Sequence, residues 1–267
     1  MLERDVAPGL HRVEDANVNW YLLEGDDGLT IVDAGVPASW NSLLDALREL
    51  SRVPGDVRAI VLTHGHFDHI GFAERARTTL KIPVWVHEDD APLLRKPRQY
   101  THERARSRYL MSYPQALPIL AKLLRARACW PPPVREVSRY TGGELPVPGA
   151  PLVVRTPGHT IGHCSLHLPD RDTVIAGDAI VMLDPYTAKR GPRVVARAAT
   201  ADSHRALASL DALAATQART MLTGHGPPWR EGVVDAARAA REAGVDKISG
   251  CRLRHRRDAF ECAARGR

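Results

Sequence analysis

One stretch of the sequence is dense in side chains that can bind cations or move protons: Thr63-His64-Gly65-His66-Phe67-Asp68-His69. It directly follows the apolar run 58–63. In an extended turn, residues two apart point to the same side, so His64 and His66 can share one ion. Asp68 and His69, at the mouth of the next element, fall on the other side and can hold a second. Imidazole nitrogen and carboxylate oxygen suit zinc, and also iron or manganese. Two such cations about 3.5–4 Å apart can share a water and lower its pKa from 15.7 toward about 7. The hydroxide formed attacks an electrophilic carbonyl without a serine or cysteine nucleophile, and no G-x-S-x-G elbow is present.

The elements that must position this stretch are legible around it. The run 58–63 (RAIVLT) is continuously apolar, as expected of a strand buried on both faces. Before it, 18–24 and 29–33 read as strands joined by Gly25-Asp26-Asp27-Gly28, and 40–50 as a helix with leucines at helical spacing. After it, 70–80 suits a helix and 84–87 a strand. The β-pattern returns at 152–156, 163–168 and 173–177, with His163, Ser165 and His167 alternating against Cys164, Leu166 and Leu168. Helices are expected at 203–215 and 231–243, with a strand at 218–223. Residues 91–140 interrupt this pattern. Their helical part, 100–127, is broken by Pro114 and Pro118 and closed by Pro131-Pro132-Pro133, which suggests an insertion or lid.

Composition limits the class. A chain of 267 residues with 44% apolar and 25% charged residues can bury a full core, which excludes global disorder. Mean hydropathy is −0.27. No apolar run approaches the roughly 18 residues of a membrane helix, and no secretory signal is visible, so a cytoplasmic protein without membrane contact is expected. Cys129, Cys164, Cys251 and Cys262 are scattered and read as incidental thiols. The net charge of +6 is uneven: residues 91–140 carry 11 basic against 2 acidic side chains, and 247–267 carry 7 against 2. Such segments are solvated surface, or patches that attract anionic substrates or nucleic acid. The basic tail is assigned no function.

His64, His66, Asp68 and His69 resemble the H-x-H-x-D-H signature of the metallo-β-lactamase fold superfamily. The resemblance extends over about residues 15–245. It implies an α/β (α+β) fold, a four-layer αββα sandwich of two mixed β-sheets flanked by helices. One domain would span 1–246, with 91–140 inserted. Thr156-Pro157-Gly158-His159, Ala176-Gly177-Asp178 and Thr223-Gly224-His225 resemble the family's remaining ligand loops. By that resemblance, His64, His66 and His159 hold one zinc ion, and Asp68, His69 and His225 a second. Asp178 bridges the two, iron or manganese being alternatives to zinc. Asp178 and Asp68 would serve the chemistry, with Asp68 near the leaving group. Asp33 matches a carboxylate that orients the metal loop. His87, His163 and His167 fall outside the ligand pattern and are expected to pack strands or make local hydrogen bonds.

The resemblance further implies a metal-dependent hydrolase of esters, lactones or thioesters, similar to glyoxalase II or acyl-homoserine lactonases. Family members that cleave β-lactams lack the bridging aspartate, and flavodiiron relatives need a flavodoxin domain for which no residues remain. Tyr186 lies near the place where lactonases put a tyrosine on the substrate carbonyl, although its spacing differs. Tyr100, Tyr109, Met111, Tyr113, Leu117 and Trp130 would give the insert a pocket wall, its arginines meeting an anionic small molecule. Two other classes stay open: a phosphodiesterase or nuclease using the basic insert, and a non-catalytic metal-binding module. A single-iron oxygenase is weaker, because its relatives use one metal.

Overall fold

Strand alternation draws the N-terminal chain into an antiparallel meander in the computed structural model, which describes residues 1–246. The basic tail, with Cys251 and Cys262, lies outside the described residues. The meander is β1 (Leu2–Ala7), β2 (Leu10–Asp15), β3 (Val18–Gly25) and β4 (Gly28–Val32). Gly25 and Gly28 pair across a two-residue turn. Helix α1 (Ser39–Glu49) returns the chain to β5 (Val57–Val61), and α2 (Ala73–Leu80) to β6 (Val84–His87). After α3 (Ala91–Arg95), α4 (Arg106–Ser112) and α5 (Leu117–Arg125), β7 (Ser138–Tyr140) completes a seven-stranded sheet. From β4 to β7 that sheet is parallel.

The second sheet is built from β8 (Gly143–Glu144), β9 (Leu152–Arg155), β10 (Cys164–Leu168) and β11 (Thr173–Gly177). A small ribbon, β12 (Val181–Leu183) with β13 (Arg190–Arg193), and helix α6 (Ser203–Ala214) precede β14 (Thr220–Thr223), which joins β11 in parallel. Helix α7 (Val233–Ala243) closes the described chain.

Three apolar clusters make these elements a four-layer αββα sandwich. Between the sheets, Leu10, Tyr21, Leu23, Val32 and Val61 meet Cys164, Leu166, Ile175 and Leu222. On the outer face of the first sheet, Trp20, Leu22, Ile31 and Ile60 pack under Leu43 and Leu47 of α1 and Ala73 and Ala76 of α2. On the other side, Val174, Ala176 and Met221 lie beneath α6 and α7. Burying both faces explains why β5 reads as an uninterrupted apolar run.

Within 91–140 the proline expectation needs correction. Pro114 does interrupt the helices, but Pro118 stands in the first turn of α5, where a missing N–H costs nothing. Tyr100 and Tyr109 are buried, whereas Met111 is 77% and Trp130 56% exposed, so these two side chains wall no pocket. The short β7, β8, β12 and β13 and the five-residue α3 carry too few residues for a readable period.

Candidate metal centre

The loops that leave four strands converge at one end of the sandwich. The 64–69 turn follows β5, His159 lies between β9 and β10, Asp178 follows β11, and His225 follows β14. Backbone hydrogen bonds tie these loops together: Cys164 N donates to Thr63 O (2.9 Å), Ala34 N to His69 O (2.6 Å), and Gly224 N to Gly177 O (2.8 Å). Each ligand-type side chain is thus carried by a segment anchored in a sheet.

His64, His66 and His159 offer ring nitrogens that all lie within 4.8 Å of one another, and atoms of Asp68, His69 and His225 do the same. Asp178 stands between the triads. Its Oδ2 is 3.4 Å from Nε2 of both His159 and His225, and its Oδ1 is 3.7 Å from Nε2 of His69. Asp68 Oδ2 is 3.6 Å from Nε2 of His225. All seven residues expected from the sequence therefore come together, and none is more than 7% exposed.

The outer nitrogens of four of the five histidines are engaged by the protein. Nδ1 of His64 meets Thr63 Oγ1 (3.0 Å), that of His69 Asp33 Oδ2 (3.1 Å), that of His159 Thr200 Oγ1 (3.3 Å) and that of His225 Asn17 O (2.7 Å). The inner atoms are not. Nε2 of His64, His66, His69 and His159 and Oδ1 of Asp178 are buried without a hydrogen-bond partner. One such atom costs about 1–3 kcal/mol, so five gathered in one place mark a site for a group that accepts lone pairs. Imidazole and carboxylate donors of this kind fit divalent transition cations.

Electrostatics separates the triads. Burial, and then the repulsion of neighbouring imidazoles, holds His64 well below the usual histidine range. Burial likewise pushes His66 down and His159 down to about 3, leaving neutral rings with free lone pairs. In the other triad burial also opposes charge, but the carboxylate of Asp178 outweighs it, with help from Asp33 and Asp68 at His69. His69 rises to about 10, and His225 is raised as well. Asp178, which burial would raise, is held well below the carboxylate range by His225, His69 and His159. Positive charge at the second triad is what a cation there would supply.

Asp33 sits at the end of β4 with φ of 60° and also lies within ligand reach of His64 and His69. Its oxygens are already taken: Oδ1 accepts Thr63 N (2.8 Å), and Oδ2 accepts the Thr63 hydroxyl and faces His69 Nδ1. It steadies the metal loop from behind. Tyr186 is half-buried and packs with Tyr100, Phe67 and Leu93, in the layer next to His66.

Several contributors were not legible in the sequence. Asp90, fully buried, accepts Gly65 N (2.8 Å), Thr160 Oγ1 (2.6 Å) and Gly162 N (2.7 Å), joining the first and third histidine loops. His163 makes the expected local hydrogen bond to Thr156 Oγ1 (2.9 Å), and its Nε2 also accepts Asp178 N (3.0 Å). Asn19 donates to Thr223 O (2.8 Å) and Gly226 O (2.7 Å), fixing the His225 turn. His87 caps its strand locally, accepting Asp89 N (3.1 Å). Cys129 and Cys164 are free thiols.

Residues 13–225 match the family model described as the Metallo-beta-lactamase superfamily. The chain belongs to that superfamily. Among curated relatives, the probable metallo-hydrolase YflN of Bacillus subtilis (strain 168) is 29% identical over 84% of this chain and 86% of its own. A metallo-beta-lactamase family protein of Thermus thermophilus superposes with a TM-score of 0.64 at 27% identity, over 87% of this chain and 78% of its own. TTHA1623, solved in a di-iron-bound form, gives 0.61 at 26% identity, over 86% and 96%. Superfamily membership and the His/Asp cluster together support a metallo-hydrolase. Among the described residues, no helix is long and apolar enough to cross a membrane.

Proposed function

We propose that the protein is a dinuclear metal-dependent hydrolase of ester, lactone or thioester bonds in small anionic acyl compounds. Zinc is the expected cation, and the di-iron form of TTHA1623 keeps iron in view, with manganese a further alternative. The observation that carries the proposal is the convergence of five imidazoles and two carboxylates, five of whose inner atoms lack any protein partner.

In the proposed centre His64, His66 and His159 would hold one cation and Asp68, His69 and His225 the other, with Asp178 between them. Bound there, the cations would polarise an acyl carbonyl and ionise a water near neutral pH. The chain's own part is positional. Asp178 fixes the separation of the two triads, because its carboxylate reaches nitrogens of both. Asp68, buried beside His225, would lie near the leaving group. Thr200 and Asp33 keep Nε2 of His159 and His69 turned inward.

The deciding experiment assays purified protein of measured metal content against lactones, thioesters, phosphodiesters and β-lactams. Lactone or thioester cleavage should dominate, with about two cations per chain, and Asp178→Ala should remove it while the protein stays folded. Fewer than one cation per chain, with no activity, would instead favour a binding module. The basic insert leaves a phosphodiesterase as the second reading. It would show as cleavage of bis-p-nitrophenyl phosphate above thioesters, and as binding that weakens steeply with salt.

A further inference from the structure

Beside the candidate metal centre lies a buried hydroxyl that the roles above leave unassigned. Tyr100, between α3 and α4 in the 91–140 insert, is 8% exposed, and its hydroxyl faces the Tyr186 phenol but has no partner at full hydrogen-bond distance. Its ring centroid is 4.1 Å from that of His66 and stacks on Phe67 at 6.0 Å. A buried hydroxyl ordinarily finds a partner, and leaving one unpaired is costly. The guanidinium of Arg106, the first residue of α4, lies 4.7 Å from the Tyr100 ring centroid on the solvent side. Among the described residues Arg106 pairs with no carboxylate, and the nearby Glu103 is already held by Arg197. A phenol is protonated at neutral pH, so the Tyr100 hydroxyl stands as a donor.

We propose that Tyr100 and Arg106 form a recognition site for a carboxylate carried by the acyl substrate. The Tyr100 hydroxyl donates to one carboxylate oxygen, and the Arg106 guanidinium pairs with the anion from the solvent side. The substrate class is then a half-ester or half-thioester of a dicarboxylic acid, its scissile carbonyl toward the candidate metal centre and its free carboxylate against the insert. This deepens the hydrolase proposal and rests on it for the reacting end alone. It also gives the insert's basic charge a specific use that general surface solvation lacks.

The test compares the p-nitrophenyl half-ester of glutarate with p-nitrophenyl valerate, which shares chain length and leaving group but is neutral. Tyr100→Phe and Arg106→Gln should each lower the preference for the anionic ester about tenfold, mainly through KM, the loss expected for one charge-assisted hydrogen bond. Arg106→Lys should recover part of it, and Arg108→Gln, an exposed charge two residues on, should leave it unchanged. Calorimetric binding of glutarate to metal-stripped protein provides a readout independent of turnover, and should weaken about tenfold in the same two variants. Equal losses on both esters, or glutarate binding indifferent to Tyr100 and Arg106, would overturn the site. Should no ester be cleaved while glutarate binding still depends on both residues, the carboxylate site stands and the hydrolase proposal falls.

Discussion

Asp33 Oδ2 lies 3.1 Å from Nδ1 of His69, while Oδ1 of the same carboxylate accepts the backbone N–H of Thr63. One buried side chain therefore sets both the start of the metal loop and the orientation of its last histidine. Partners of this kind fix the tautomer of a metal-binding imidazole and raise its basicity. Asp33→Asn should weaken binding of the second cation about 10–100-fold while the first is little changed. Competitive titration with a metal-sensitive dye resolves the two affinities. Equal loss at both sites would show that Asp33 acts on the whole loop instead.

Asp90 plays the matching part for the first triad. It joins Gly65, beside His64 and His66, to Thr160 and Gly162, beside His159. Burial raises its carboxyl pKa against the pull of these three donors, so the group is held at some cost. Asp90→Ala would leave two backbone N–H groups buried and unpaired, for a loss on the order of 3 kcal/mol in metal-free protein. Asp90→Asn keeps an acceptor oxygen and should lose less. Urea unfolding in the presence of a chelator measures both, and an unchanged midpoint for Asp90→Ala would contradict the role.

What the sequence revealed follows how local each signal is. His64 to His69 could be read directly because the ligands lie within one turn and follow an apolar strand. Asp178 and His225 are isolated Gly-Asp and Gly-His pairs, and gain meaning only through resemblance to a family pattern. Asp90 carries no such mark, since its partners lie 25 and 72 residues away and exist only once the loops fold. His163 shows the opposite failure. Its alternation placed it on a strand face, but period alone does not tell solvent from the back of a metal loop. The 91–140 insert was recognisable by charge and proline. Which of its aromatics turn inward depends on packing against Ala196 and Ala198 and their neighbours, outside the segment.

Gly224 shows how little room the centre has. A Cβ there would stand 2.0 Å from Asp178 Oδ1 and 2.7 Å from Cε1 of His69. Neither neighbour can retreat without leaving its place in the centre, because Asp178 N is tied to His163 and His69 to Asp33. Gly224→Ala should fold, at an overpacking cost of about 1–3 kcal/mol, yet push Asp178 from between the triads. Turnover is expected to fall by about 100-fold, as for a reacting group misplaced by 1 Å. Circular dichroism and metal counting on the same sample separate the outcomes: native ellipticity with reduced metal supports displacement, and full metal with full activity contradicts it.

The acid limb of stability should report on His163. Its Nε2 accepts the Asp178 N–H, so Nδ1 carries the ring proton and donates to Thr156 Oγ1. Burial pushes its pKa from 6.5 down to about 4, so the folded protein requires the neutral ring while the unfolded chain binds a proton readily. The resulting stabilisation is fully present above pH 6.5 and is lost as pH falls through about 4. It amounts to something on the order of 3 kcal/mol. His163→Gln removes this titration and keeps an acceptor for Asp178 N. Urea midpoints of metal-free protein from pH 7 to pH 4 should therefore fall more steeply for wild type than for the variant, and the two curves should converge toward acid. Parallel curves would mean that His163 is not the neutral, buried acceptor inferred from its contacts.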